Sequence, residues 1–271
     1  MTSRDDSAQA SPVESALDQA VRVHGGALVG YLPFGFPSLD ASVEAAVALA
    51  KNGVDVLELG LPYSDPVMDG AVIQRATTVA LANGFSIADA FSAMKEITAE
   101  ISIPALIMTY WNPVLAYGVE RFADDLVASG GAGLITPDLI PDEGSNWIDV
   151  ATARDLDHVF LAAPSSTDSR LDQSIQASRG FVYAVSTMGI TGTRSDVDSA
   201  AHSLVARLRD RGAAHIGVGL GISTADQVRE VLSYADGAIV GSALVSALET
   251  GGISAVTDKA LELASGKPIH A

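Results

Sequence analysis

The sequence predicts an α/β fold, a single (β/α)8 TIM barrel with phosphate-binding loops after its seventh and eighth strands. Three observations lead there. Eight short runs are near-continuous in Val, Ile, Leu and Ala rather than alternating, as strands buried on both faces are. The stretches between them carry helical spacing of apolar residues. Finally, no long linker or change of composition divides the 271 residues, which are 48% hydrophobic and 18% charged.

The elements follow in order. Residues 1–12 are polar and read as an N-terminal extension, leaving 13–271 for the barrel. The first strand is placed at 27–32 and the second at 54–59. Between them Ser38 is a helix cap, followed by Leu39, Val43, Ala46, Val47 and Ala50 on one face. Ser86 opens a helix carrying Ile87, Phe91, Met94 and Ile97. Strands at 105–110, 133–136, 158–162 and 181–186 come next. The last two strands are 215–219 and 237–241, with Thr224 capping the helix between them.

Composition narrows the function. Acidic residues number 33 against 16 basic, a net charge of −17, which argues against nucleic acid or a membrane surface as partner. There is no cysteine, so disulfides, thiol nucleophiles and thiolate metal sites are excluded. The N-terminus lacks the apolar core of a signal peptide, and the apolar stretch 237–248 is too short to span a bilayer. A cytoplasmic location is expected.

Chemistry in such barrels sits at the C-terminal ends of the strands. Glu58 falls there, inside the apolar run Val-Asp-Val-Leu-Glu-Leu-Gly, where a carboxylate is expensive to bury. Either it works as an acid or base, or an Arg or hydroxyl pairs with it. Asp69 follows in the loop LPYSDPVMDG, as a second carboxylate or as turn chemistry. Two carboxylates in different surroundings can be pushed to opposite protonation states. Asp65-Pro66 reads as a turn. After the seventh strand stands Gly219-Leu220-Gly221, and after the eighth Gly241-Ser242-Ala243 opens a helix. Both are tight turns in which backbone N–H groups can reach an anion. The loop 186–194, STMGITGTR, is glycine-rich and reads either as a lid or as a plain surface loop. The four lysines (Lys51, Lys95, Lys259, Lys267) fall in or after helical stretches, so no Schiff base is expected at a strand end. The five histidines (His24, His158, His202, His215, His270) do not cluster at ligand spacing and read as surface or turn residues, so no metal is expected. What remains is carboxylate acid–base chemistry on a phosphorylated substrate, without a cofactor, or a barrel that is not an enzyme.

The run LELGLPYSDPVMDGAVIQRA resembles the tryptophan synthase α subunit, and the likeness extends over roughly 15–264. IPALIMTYWNPV, STMGITGTR, GVGLGIST and DGAIVGSALV support it. The resemblance implies a lyase of tryptophan biosynthesis that cleaves indole-3-glycerol phosphate to indole and glyceraldehyde 3-phosphate. It implies Glu58 and Asp69 as the catalytic carboxylates and Tyr183 as a tyrosine beside the substrate. Thr191 matches a lid threonine, while Gly192, Gly221, Gly241 and Ser242 match a phosphate cradle. Tyr31, Met108, Leu220 and Ile239 match positions lining the indole slot. A pyridoxal-phosphate β subunit is implied as partner in an α2β2 heterotetramer, touching Pro62, Tyr63, Asp65 and Pro66. The chain departs from the family at Pro33, often threonine, at Phe36, often aspartate, and at Leu220, commonly aromatic. Two alternatives stay open: a stand-alone lyase with the same residues, and a non-catalytic barrel kept as an allosteric subunit.

Overall fold

The computed structural model describes residues 10–185, 194–219 and 221–268. The chain begins with helix α1 (Pro12–His24). Units of strand and helix follow: β1 (Ala27–Pro33), α2 (Leu39–Lys51), β2 (Val56–Gly60), α3 (Ala71–Ala82), α4 (Ile87–Glu100) and β3 (Ala105–Met108). Next come α5 (Trp111–Tyr117), α6 (Val119–Ala128), β4 (Gly133–Ile135), a 3-10 turn (Pro141–Glu143) and α7 (Ser145–Thr152). The chain closes with β5 (Asp157–Val159), β6 (Leu161–Ala162), α8 (Asp168–Ala177), β7 (Val182–Val185), α9 (Arg194–Asp210), β8 (Ile216–Gly219), α10 (Ala225–Leu232), β9 (Gly237–Val240) and α11 (Ser242–Ala264).

All strands are parallel, in the order β5-β4-β3-β2-β1-β9-β8-β7-β6. Nine strands appear where eight were expected because the fifth run breaks at Phe160. Its first part pairs with β4, through Gly133↔Asp157, and its second with β7, through Leu161↔Tyr183. The two ends of the sheet are therefore joined through the chain itself, and the barrel is nearly closed. The bend is held from outside, where the Phe160 N–H donates to the Ser178 hydroxyl at 3.1 Å.

The caps read from the sequence form. Ser38 accepts from the Ala41 N–H at 3.2 Å, Ser86 and Asp89 make a reciprocal capping box, and Thr224 accepts from the Gln227 N–H. Each satisfies donors that a helix start leaves unpaired.

The core has two parts. Outside the strands, Leu28, Leu49, Leu57, Leu59, Ile107 and Leu134 pack against the helices. Inside the barrel, Val29, Val56, Leu106, Ile135, Val159, Phe181 and Ile239 meet Val13, Leu17 and Ala20 of α1. Helix α1 thus plugs the N-terminal end of the barrel, which leaves the C-terminal end as the open one. Its first residue, Pro12, and its cap fall within the segment read as a polar extension. Buried Ser11 is its cap, accepting from the Glu14 N–H at 3.1 Å while Glu14 accepts from the Ser11 N–H at 2.9 Å.

One reading of the histidines needs correcting. His158 is neither a surface nor a turn residue: it is buried in β5, its Nδ1 2.6 Å from the Ala177 carbonyl oxygen. Pairing with β4 on one side and the carbonyl at the end of α8 on the other hold it in place, 6% exposed. His215 Nε2 lies 2.9 Å from the Asp18 carboxylate, joining α1 to the start of β8. Among the described residues, no helix is long and apolar enough to cross a membrane.

Candidate active site

Strand β2 supplies the centre of the site. Every residue of β2 is buried, and parallel pairing on both edges fixes which of its side chains point inward. Glu58 stands beside Tyr31 of β1 in register and beside Leu106 of β3. Its side chain is 1% exposed, and its Oε2 is buried with no hydrogen-bond partner. The pairing with an Arg or hydroxyl that a purely structural role would require is absent at that oxygen among the described residues. Burial pushes the Glu58 carboxyl up to about 8, and the charge of Asp69 adds to the effect.

Asp69 comes from the loop after β2. Its backbone N–H turns back to the Pro66 carbonyl at 3.1 Å, so the residue does both things its sequence suggested: it makes a turn and it faces the mouth. The helix that follows begins beyond it, capped by Gly70 rather than by Asp69. Gln74 holds the loop from α3 by donating to the Asp69 carbonyl at 2.9 Å and to the Pro66 carbonyl at 3.3 Å. Burial pushes the Asp69 carboxyl up to about 6, and a hydrogen bond from Tyr110 opposes it. Two carboxylates in one mouth thus titrate apart, Glu58 protonated and Asp69 ionised near neutral pH.

Three tyrosines complete the cluster. Tyr31 and Tyr183 are held well above the ordinary phenol range, first by burial and then by the carboxylates Glu58 and Asp69. Both stay neutral hydroxyls. A side chain at Gly60 would overlap the Tyr31 hydroxyl, and a Cβ at Gly219 would come within 2.7 Å of the Tyr183 hydroxyl. Those glycines make room for the two rings. Tyr110, at the end of β3, is the third. Its hydroxyl accepts the Met68 N–H at 2.8 Å, and its ring lies 5.3 Å from that of Tyr63. Sequence reading missed Tyr110. The available signal was its position just past the third strand, inside the segment IMTYWNPV.

The remaining expected residues fall as follows. Met108 ends β3 and, like Tyr183, packs at the rim of the inner core, while Ile239 is buried in β9. Gly221 follows β8 with φ +63°, a left-handed conformation suited to glycine. Gly241 precedes α11 and Ser242 begins it, with no side chain capping that helix start. Its first N–H groups are therefore open to an anion beside the β8 loop. Thr191, Gly192 and Leu220 lie outside the described residues. In the loop after β2, Pro62 is buried. The surface there is made by half-buried Tyr63 and Pro66, exposed Asp65, and exposed Val67 and Met68.

Two cavities, of about 730 and 630 Å3, lie at the opposite, N-terminal end of the barrel. The first is lined by residues such as Gln19, His24, Asp55 and Arg154 of the α1 side. Neither is lined by Glu58 or Asp69. Burial also raises a third carboxyl, that of Asp157 in β5, to about 6 beside Arg179 at 3.7 Å, but the mouth brings two raised carboxyls to one place, which is why the chemistry is placed there.

Comparison with known proteins shows the family. A family model described as tryptophan synthase alpha chain matches residues 17–267. The chain is 68% identical over 241 residues to the tryptophan synthase alpha chain of Leifsonia xyli, covering 89% of this chain and 92% of that one. A structure of Mycobacterium tuberculosis tryptophan synthase superposes with a TM-score of 0.91 at 48% identity, over 97% of this chain and 100% of that chain. A tryptophan synthase complex from Pyrococcus furiosus matches with a TM-score of 0.80 at 34% identity, over 88% and 97% of the two chains.

Proposed function

The chain belongs to the tryptophan synthase alpha chain family, and from that premise we propose how its residues perform the reaction. The protein is a carbon–carbon lyase of tryptophan biosynthesis. It cleaves indole-3-glycerol phosphate to indole and glyceraldehyde 3-phosphate and partners the β subunit. In the reading proposed here, Glu58 is the general acid. Its proton goes to indole C3, giving an indolenine whose ring nitrogen carries positive charge. Asp69 accepts the ring N–H and stabilises that charge. The C3–C3′ bond then breaks, its electron pair returning to the ring, while the C3′ hydroxyl becomes the aldehyde. The hydroxyl proton passes to the carboxylate of Glu58, which is thereby restored.

The observation that carries this reading is the buried, partnerless Oε2 of Glu58, pushed up to about 8 beside an Asp69 at about 6. Gly221, Gly241 and Ser242 are assigned to the phosphate, with Gly192 from the loop before α9. Tyr31, Met108, Tyr183, Leu220 and Ile239 are assigned to the indole slot. Thr191 is assigned to the lid that covers it. We assign Tyr63, Asp65 and Pro66 to the β subunit contact in an α2β2 assembly, with Pro62 buried behind them. Exposed Val67, at 83%, and Met68 extend that face. A cytoplasmic site of action suits a chain whose described helices include none fit to cross a membrane.

The test is the pH dependence of kcat/KM for indole release by the complex with the β subunit. Turnover requires Glu58 protonated, so it is lost as pH rises through about 8, and Asp69 ionised, so it is lost as pH falls through about 6. A profile rising monotonically to pH 9 would exclude Glu58 as the acid.

A further inference from the structure

We propose that Tyr110 is a positioning residue for Asp69: its hydroxyl ties the loop after β2 to the end of β3 and aims the Asp69 carboxylate into the barrel mouth. This deepens the function proposed above and rests on the role given there to Asp69.

The geometry is specific. The Tyr110 hydroxyl accepts the Met68 N–H at 2.8 Å, which uses a lone pair and leaves its one proton free to donate. The carboxylate of the next residue, Asp69, is the group whose ionised form that proton favours. One hydroxyl thus holds two consecutive residues of the loop, one by backbone and one by side chain. Little else steadies this stretch. Val67 is 83% exposed and Met68 37%, so the two residues just before Asp69 bury no apolar side chain, and Gln74 reaches only the backbone carbonyls of the loop.

Tyr110 is itself fixed. It is 6% exposed, its ring rests against Tyr63, and Asn112 donates to the Tyr63 hydroxyl at 3.2 Å. The next N–H, that of Trp111, donates to Asp138 at 2.8 Å, which secures the backbone where α5 begins. A buried phenol on a rigid strand end is a better reference point for a carboxylate than the loop that carries it.

The electrostatics give the bond a second effect. The groups that face Asp69 in the mouth are Glu58 from β2, Tyr31 from β1, Tyr183 from β7 and Tyr110 from the turn between β3 and α5, with Asp138 behind Tyr110. All are acids or neutral hydroxyls. The Tyr110 bond is what opposes burial and keeps Asp69 ionised down to about 6. Without it the carboxylate protonates at higher pH, and the indole N–H loses its acceptor under conditions where the native site still works.

The experiment compares Tyr110→Phe with the native chain, each in complex with the β subunit, by kcat and KM for indole release from pH 5 to 9. The acid limb of the variant should move up by about one pH unit. Its kcat at pH 6 should fall about fivefold, with KM changed less than about twofold because the ring stays in place. At pH 8 most of the rate should return. Tyr117→Phe, which removes a hydroxyl bound to Asp125 on the far end of α5, should leave the acid limb unmoved. An unmoved acid limb in Tyr110→Phe, or an equal shift in Tyr117→Phe, overturns the proposal. Asp69→Asn, run alongside, separates the two levels. Full turnover in Asp69→Asn would remove the role of Asp69 and this proposal with it. An inactive Asp69→Asn with an unmoved Tyr110→Phe would remove the proposal alone.

Discussion

Glu58 shows at the scale of one residue how this chain trades stability for chemistry. A carboxyl in the middle of a fully buried strand, with one oxygen unpartnered, favours its protonated form in the folded state. Its folded value of about 8 lies above the ordinary 4.5, so its stabilising protonation is complete below pH 4.5 and is lost as pH rises through 8. Glu58→Gln removes the titration while keeping the shape. That variant should therefore be more stable than the native chain at pH 8.5, by on the order of 2 kcal/mol, with the gap closing toward pH 5. Urea unfolding at the two pH values reads this directly, and a variant less stable than native at pH 8.5 would contradict it. Glu58 was legible in the sequence because an acid among Val and Leu breaks the apolar pattern around it. Asp69 was less so, since Asp-Gly is ordinary turn chemistry, and the resemblance decided for it. Tyr110 offered only its position just past the third strand. An aromatic residue at a strand end fits core packing equally well, and only the folded loop shows its hydroxyl between Met68 and Asp69.

At the scale of elements, helix α1 and the broken fifth strand carry most of what the sequence left unread. The strand and helix order was legible because buried parallel strands and amphipathic helices have different apolar periods. The role of α1 was not, because its apolar stripe resembles that of any covering helix, and closure of a barrel end is a property of the assembled fold. In the structure, Val13 and Leu17 enter the inner core beside Val29, Phe181 and Ile239. Leu17 is 1% exposed, so Leu17→Ala should cost about 2–5 kcal/mol of stability. Because that contact lies at the end of the barrel opposite Glu58, kcat should stay within about twofold of native below the melting transition. Chemical denaturation together with the cleavage rate checks both halves, and a large fall in kcat at full folding would show that the plug shapes the mouth. The break at Phe160 escaped notice because His158 to Ala162 reads as one apolar run. Pairing with two different neighbours, β4 and β7, is what divides it.

The whole molecule divides its labour between two ends. One end is sealed by α1. The other gathers two carboxylates, three tyrosines and the open start of α11, and presents Tyr63, Asp65, Pro66, Val67 and Met68 around the same rim. The loop that supplies Asp69 is also the loop that offers this exposed apolar surface. With that face assigned to the β subunit and Asp69 to the indole N–H, as proposed above, docking and chemistry share one short loop, and the isolated barrel is predicted to work slowly. The most direct test is the rate of indole release from indole-3-glycerol phosphate by the purified chain, alone and with added β subunit, for the native sequence, Glu58→Gln and Asp69→Asn. Slow turnover alone, marked acceleration with the β subunit, and a loss of about 10²–10⁴-fold in each variant are predicted. Native-like turnover in either variant would contradict the account.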